Sequence, residues 1–240
     1  MASWSPAAVW ASNRSRDLRV SIPHENTDMN TSRFESLTGR VDVLFPEYDD
    51  PPSEPITLLR RWLAAADAAR VREPKALALA TATADGRSST RIIAFSSIDD
   101  RGLIFCTHST SRKGRELSAT GWASGVLYWR ETGQQIMISG PAIPLEPSEN
   151  DALWFGRSVP MHAMSSVSHQ SDVLVDREAL LAKADELLAL GVALPRPPRF
   201  VAYRLEPHEM EFWAASSDRL HRRLKYERQG NAWKATHLQP

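Results

Sequence analysis

The chain has 240 residues, 42% hydrophobic and 24% charged, enough for one sizeable core and unlike a disordered or fibrous chain. Lys+Arg and Asp+Glu both total 29, so no net field draws it to nucleic acid or an anionic membrane, and any bound anion needs a local cation cluster. No apolar run approaches the ~18 residues of a spanning helix, and the lone cysteine, Cys106, excludes an internal disulfide or a cysteine-built metal centre and fits a reducing, cytoplasmic setting.

Residues 1–28 are small, polar and charged without a sustained period, and read as a disordered or artificially added leader ahead of a natural start at Met29. Residues 29–52 form an N-terminal arm, and 53–240 the single folded domain. The first helix is expected over 53–70, with Ser53 as N-cap, Pro55 in the first turn and Leu58, Leu59, Trp62, Leu63 and Ala66 as one buried stripe. Strand-like runs follow at 76–82, 88–98, 103–107, 123–129 and 134–143, with a short helix at 115–119 and another at 147–155. A second long helix starts at Asp176, runs through Leu180, Leu181, Ala184, Leu187 and Leu188, and stops at Gly191. Three further strands are expected at 200–205, 210–214 and 220–227. Asp85-Gly86, Asp100-Arg101-Gly102 and Gln229-Gly230-Asn231 are the turn signals. About eight strands joined by short turns predict a mainly β (α+β) fold, an antiparallel sheet curled into a barrel or sandwich with a few flanking helices.

The most informative stretch is Thr107-His108-Ser109-Thr110-Ser111-Arg112-Lys113-Gly114, between a strand and a helix. Hydroxyls, unpaired N–H groups and two cations at a helix start make an anion site, with arginine's planar fork matched to phosphate oxygens. An N-capped helix with solvated basic residues accounts for this segment equally well. Trp213 is followed by Arg219, His221, Arg223 and Lys225, which in an extended strand share one face while Leu220, Leu224 and Tyr226 share the other. A half-exposed strand has the same pattern; what favours chemistry is an imidazole between two guanidiniums, kept neutral by its neighbours and free to accept or orient a proton. Arg91 opens an apolar strand, where a phosphate or a surface carboxylate would satisfy it. Gln134-Gln135 can offer donor and acceptor to a heterocycle edge, and Gln170-Ser171 supplies polar caps. No GxGxxG, P-loop, HExxH, GxSxG or cysteine-metal spacing occurs, so a metal site is not expected.

Taken in order, Glu73-Pro74-Lys75-Ala76, Leu79-Ala80-Thr81, Arg91-Ile92-Ile93, Thr107, Ser111-Arg112-Lys113-Gly114, Gln135, Gln170-Ser171, Glu211-Phe212-Trp213, Arg219-Leu220-His221-x-Arg223 and Ala232-Trp233-Lys234 resemble the pyridoxamine-5′-phosphate oxidase family from about residue 53 to 240. The resemblance implies an FMN-binding split β-barrel, homodimeric, with FMN at the subunit interface. It implies that Arg91, Arg112, Lys113, Ser111 and Thr107 hold the FMN phosphate. Ile92, Ile93, Ala94, Cys106, Gln135, Gln170, Ser171, Trp213 and Arg223 would add further cofactor contacts from either subunit. Arg219 and His221 would lie over the flavin as the catalytic pair.

The substrate side departs from the family. Its vitamin-B6 enzymes grip the substrate phosphate with a lysine where this chain has Ser96, a tyrosine where it has Trp154, and a serine near Met161, while an arginine is kept as Arg157. Losing three such contacts, each ~1–3 kcal/mol, weakens phosphate recognition, and Trp154 and Met161 offer apolar surface for a flat ring. The combination resembles the family's phenazine-biosynthesis branch. That implies a small aromatic carboxylate as substrate, held by Arg219 and His221, and O2 as electron acceptor. A B6-phosphate oxidase with an altered grip and a non-catalytic flavin carrier are the two alternatives.

Overall fold

A computed structural model describes residues 40–240. The expected leader, 1–28, and residues 29–39 of the arm lie outside these. After a 3-10 turn at Pro46–Tyr48, helix α1 (Pro55–Ala68) buries the expected stripe of Leu58, Leu59, Trp62, Leu63 and Ala66. Its N-cap is Glu54 rather than Ser53, with no side-chain cap bond, and Pro55 at the first position leaves one fewer N–H to satisfy there. Trp62 meets Phe45 and Phe212 edge-on at centroid distances of 4.8 and 5.3 Å, placing the helix over the concave side of the sheet. Burial of each such side chain contributes about 1.5–3 kcal/mol.

Ten strands follow among the described residues: β1 (Ala76–Ala82), β2 (Ser88–Ala94), β3 (Ser97–Ile98), β4 (Leu103–His108), β5 (Trp122–Trp129), β6 (Gln134–Pro144), β7 (Phe200–Leu205), β8 (Glu209–Ala214), β9 (Arg222–Gln229) and β10 (Ala232–His237). The helices between them are α2 (Arg112–Thr120), α3 (Pro147–Phe155), α4 (Val159–Val167) and α5 (Arg177–Ala189). All pairings are antiparallel, in the order β10-β9-β8-β6-β5-β1-β2, with β7, β4 and β3 joined on through β6. The curl comes from β6, whose residues 134–139 pair with β8 while 142–144 pair with β7. Gly140 sits at this change of partner, where a Cβ would collide with the Glu206 carbonyl oxygen, so only glycine lets the chains approach. The expected curled antiparallel fold with flanking helices is the observed one.

Four local expectations are corrected. The run 88–98 is two strands, broken after Ala94. Strand β9 starts at Arg222, so Leu220, expected on the core face, lies in a turn and is 65% exposed, while Leu224 and Tyr226 are buried. Helix α5 is capped by Asp176, whose side chain accepts from the Ala179 N–H (2.9 Å), and is followed by Gly191 with φ +64°, but of its five periodic apolar residues only Ala184 is buried. Helix α4 and strand β10 have no counterpart among the expected elements.

Candidate functional site

The segment between β4 and α2 closes on itself. Ser111 caps α2, accepting from the Gly114 N–H (3.1 Å) and donating to the His108 carbonyl (2.7 Å). A Cβ on Gly114 would collide with the same carbonyl oxygen, so the helix start packs directly on the loop. Around this cap gather the residues the sequence singled out. Thr107 lies 3.2 Å from Ser111 and 3.4 Å from Gln170, Lys113 donates to Gln170 (3.2 Å), and the Arg112 N–H donates to the Ser171 hydroxyl (3.0 Å). Six residues from two distant stretches therefore meet at one helix N-terminus. Ser171 holds this place with φ +75°.

Arg91 reaches the same neighbourhood from β2. It donates to the Leu79 carbonyl (3.2 Å), the Thr81 hydroxyl (2.7 Å) and Ser89, and stands 3.5 Å from Glu116 on α2. Glu116, which sequence reading does not single out, is the carboxylate that joins this arginine to Arg112, 2.9 Å away. Burial raises the Glu116 pKa, but hydrogen bonds from Ser89, Thr81 and Arg112 outweigh it and hold the group at about 2. The i,i+4 spacing of Arg112 and Glu116 was the available signal; the burial was not, since it arises from strands paired far away in sequence. Burial, then the nearby Arg91 charge, lowers the Lys113 pKa, so three cations converge with one carboxylate among them.

Beside this cluster opens a cavity of about 480 Å³. Of the expected residues, Ala94, Ser96, Cys106, Thr107, Arg157, Met161 and Gln170 line it, joined by Phe95, His108, Leu153, Ser165 and Phe200. The Arg157 guanidinium lies 5.5 Å from the Trp154 ring and 5.3 Å from the Phe200 ring, and among the described residues it has no carboxylate partner. His108 is buried with its Nδ1 lacking a partner among the described residues, and burial followed by the charges of Arg199 and Lys113 pulls its pKa down to about 4. It is thus neutral near pH 7. Ile92 and Ile93 line a separate cavity of about 530 Å³ against Pro74 and Lys75, which Ala94 shares.

Trp154 is a correction. It is wholly buried, donates from Nε1 to the Leu194 carbonyl (2.6 Å) and stacks on His162, so it supports Arg157 from beneath and does not line the cavity. The cationic row is another. Arg223 is held bidentately by buried Glu211 (2.6 and 2.9 Å), and Lys225 is paired with Glu209 and Glu227. Arg219 and His221 precede β9 in a turn, Arg219 with φ +65°, and the His221 Nδ1 accepts from the Ser216 N–H (3.1 Å). Gln135, Trp213 and Arg223 occupy facing positions across β6, β8 and β9, all half-buried. None of Gln135, Trp213, Arg219, His221 and Arg223 lines the 480 Å³ cavity. Among the described residues no cluster of His, Cys, Asp or Glu is arranged to hold a metal ion, and no helix is long and apolar enough to cross a membrane.

Residues 63–214 match the family described as "Pyridoxamine 5'-phosphate oxidase", and residues 200–240 match "Pyridoxine 5'-phosphate oxidase C-terminal dimerisation region". The chain belongs to this family. It is 87% identical over 212 residues, 88% of its length, to a dihydrophenazinedicarboxylate synthase of Burkholderia lata, all of which is covered. It is 48% identical over 206 residues, 86% of its length and 93% of the relative's, to the synthase of the same description from Pseudomonas chlororaphis. Among solved structures, PhzG of Burkholderia lata 383 in complex with tetrahydrophenazine-1-carboxylic acid superposes with a TM-score of 0.83 at 87% identity, over 84% of this chain and the whole of that one. The curled sheet is accordingly the split β-barrel of this oxidase family.

Proposed function

We propose that the chain is an FMN-dependent oxidase of phenazine biosynthesis that converts a partly reduced, carboxylated tricycle toward the aromatic phenazine. The observation that carries this reading is the Arg157 guanidinium, which stands without an acidic partner among the described residues at a cavity whose wall sets Phe95, Leu153, Met161 and Phe200 beside uncharged polar groups. A cation left uncompensated in such a place calls for an anion from the ligand, and a flat carboxylated ring supplies both the anion and the apolar area. The 87% identity to the Burkholderia lata synthase supports the same substrate class.

The residues present fit FMN. The close packing required at Gly114, the capped start of α2 and the surplus of positive charge among Arg91, Arg112 and Lys113 suit a dianionic phosphate, with Ser111 and Thr107 adding hydroxyls. Gln170 and Ser171 close the same side, and Gln135, Trp213 and Arg223 would make cofactor contacts from the sheet. When bound, FMN supplies a ring that takes up two electrons from the substrate, for return to O2 as peroxide. In this reading the protein is a cytoplasmic homodimer with FMN at the subunit interface, and Arg219 and His221 reach the substrate from the second subunit. Ser96 and Met161 shape the cavity for a ring and offer a phosphate no charge.

Purified protein is expected to be yellow, to consume O2 with a tetrahydrophenazine carboxylate and to turn over pyridoxine 5′-phosphate at least about a hundredfold more slowly, as expected from losing several ~1–3 kcal/mol contacts. Brisk turnover of pyridoxine 5′-phosphate would overturn the substrate, and absence of bound flavin the whole reading.

A further inference from the structure

Residues Arg40 to Asp42 lie alongside the turn that carries Arg219 and His221. The Arg40 N–H donates to the Glu131 carbonyl and the Asp42 N–H to the Ala215 carbonyl, both at 3.0 Å. The Asp42 carboxylate then accepts from the Ser217 N–H at 3.1 Å. Asp42 thus grips the residues on either side of Ser216, adopting φ +59° to do so. The Ser216 hydroxyl lies between two carboxylates, 2.5 Å from Asp218 and 3.2 Å from Asp42; its single proton goes to the nearer one, so the backbone contacts are Asp42's firm hold. Asp218 also accepts from the Leu220 N–H (2.8 Å), closing the turn from its other end.

The bracketed Ser216 directs its own N–H at the His221 Nδ1 (3.1 Å). A backbone N–H can only donate, so Nδ1 must be the bare nitrogen, and the one proton of a neutral imidazole then resides on Nε2. The fully buried His162 shows the same device in a structural role: its Nδ1 accepts from the Leu194 N–H (3.2 Å), which leaves its Nε2 to donate to the Trp154 carbonyl (2.9 Å). His221 differs in being half-buried, with Nε2 making no contact of that kind among the described residues.

We infer that Asp42, through Ser216, is the positioning residue that locks His221 in its Nε2–H tautomer, so that this histidine meets its ligand as a hydrogen-bond donor and not as a proton-accepting base. The inference narrows the sequence expectation, which left His221 to accept or to orient a proton. Its functional half rests on the proposed placement of His221 at the substrate, where an Nε2–H would hold a carboxylate oxygen. The tautomer itself does not depend on that placement.

The test uses the full chain with 15N-labelled histidine, with the His221 signals assigned by their loss in His221→Gln. In its neutral form, reached in a pH series, the wild-type imidazole is expected to show a pyridine-type Nδ1 and a pyrrole-type Nε2. Asp42→Asn, which keeps the accepting oxygen, preserves that pattern. Asp42→Ala shifts it toward a mixture of tautomers and lowers kcat/KM about tenfold at unchanged flavin absorbance, the size expected for one lost hydrogen bond at the reacting end of the ligand. An Nδ1–H tautomer in the wild type, or a tautomer untouched by Asp42→Ala, overturns the latch. A tautomer that shifts in Asp42→Ala while kcat/KM stays constant upholds the latch and removes His221 from the substrate.

Discussion

The two regions that resemble the family's cofactor site differ in how their cations are satisfied. Around α2, Arg91 and Arg112 share the single carboxylate of Glu116, and Lys113 turns to the neutral amide of Gln170, so positive charge is left over. On β9, Arg223 has Glu211 to itself and Lys225 has both Glu209 and Glu227, so the positive charge is more than matched. The α2 cluster is therefore expected to attract an anion within one subunit, whereas Arg223 and Lys225, matched by three carboxylates, carry no surplus of positive charge and would contribute shape and hydrogen bonds.

That contrast fixes the largest expected effect. Arg91→Ala combined with Arg112→Ala removes two charge-assisted partners of ~1.5–3 kcal/mol each, so FMN affinity falls at least about a hundredfold and the purified protein is colourless but folded. Arg223→Gln, which takes away a guanidinium already committed to Glu211, leaves most of the flavin bound. Visible absorbance of the two purified variants decides the matter. Equal flavin loss in both would erase the distinction between the regions.

The second contrast is between Met161, which lines the cavity, and Trp154, buried behind it. Trp154→Ala empties a fully buried site and breaks the bond to the Leu194 carbonyl, costing about 3–5 kcal/mol of stability measured by chemical denaturation. Met161, 51% exposed at the mouth of the cavity, behaves in the opposite way. Met161→Ala leaves stability within about 0.5 kcal/mol and raises KM for the tricyclic substrate severalfold. A raised KM with unchanged stability in Trp154→Ala would return Trp154 to the substrate face.

Much of this is legible in the chain. Runs of β-branched, aromatic and leucine residues, with Asp-Gly, Arg-Gly and Gln-Gly turns, mark eight of the ten strands, and the Thr107 to Gly114 stretch marks the capped loop before α2, because local pattern and local chemistry agree there. Strand β10 escapes because its residues are largely exposed and lack an apolar alternation. Helix α4 escapes because Val-Pro-Met-His-Ala-Met-Ser-Ser-Val is short and its few spaced apolar residues stay largely out of the core, only His162 and Ala163 being buried. Arg223 reads as a free cation because its partner Glu211 comes from a neighbouring strand, a pairing that only the register of β8 with β9 creates. Asp42 and, apart from its i,i+4 neighbour Arg112, Glu116 share that fate: their partners Ser216 and Ser217, and Thr81, Ser89 and Arg91, are brought close by the fold and not by the sequence. Analogy of position alone puts Trp154 at the substrate, whereas the chain turns that side chain inward against His162.

Acid should separate the cavity from the anion cluster. His108 has its pKa drawn from 6.5 down to about 4 by burial, then by Arg199, Lys113, His169 and Arg157. The unfolded chain therefore binds this proton first, so the contribution of neutral His108 is complete above about pH 6.5 and is lost as pH falls toward 4. Glu116, drawn from 4.5 to about 2, keeps its contribution above about pH 4.5 and loses it toward 2. At 1.36 kcal/mol per unit, each is worth up to about 3 kcal/mol, and roughly 2 kcal/mol of the His108 part should be gone between pH 7.5 and 4.5. Urea unfolding at those two pH values is expected to show this loss in the wild type and little of it in His108→Gln, whose amide does not titrate. A loss of the same size in His108→Gln would mean that the acid sensitivity lies elsewhere, and that the imidazole at the cavity is already solvated enough to charge without cost.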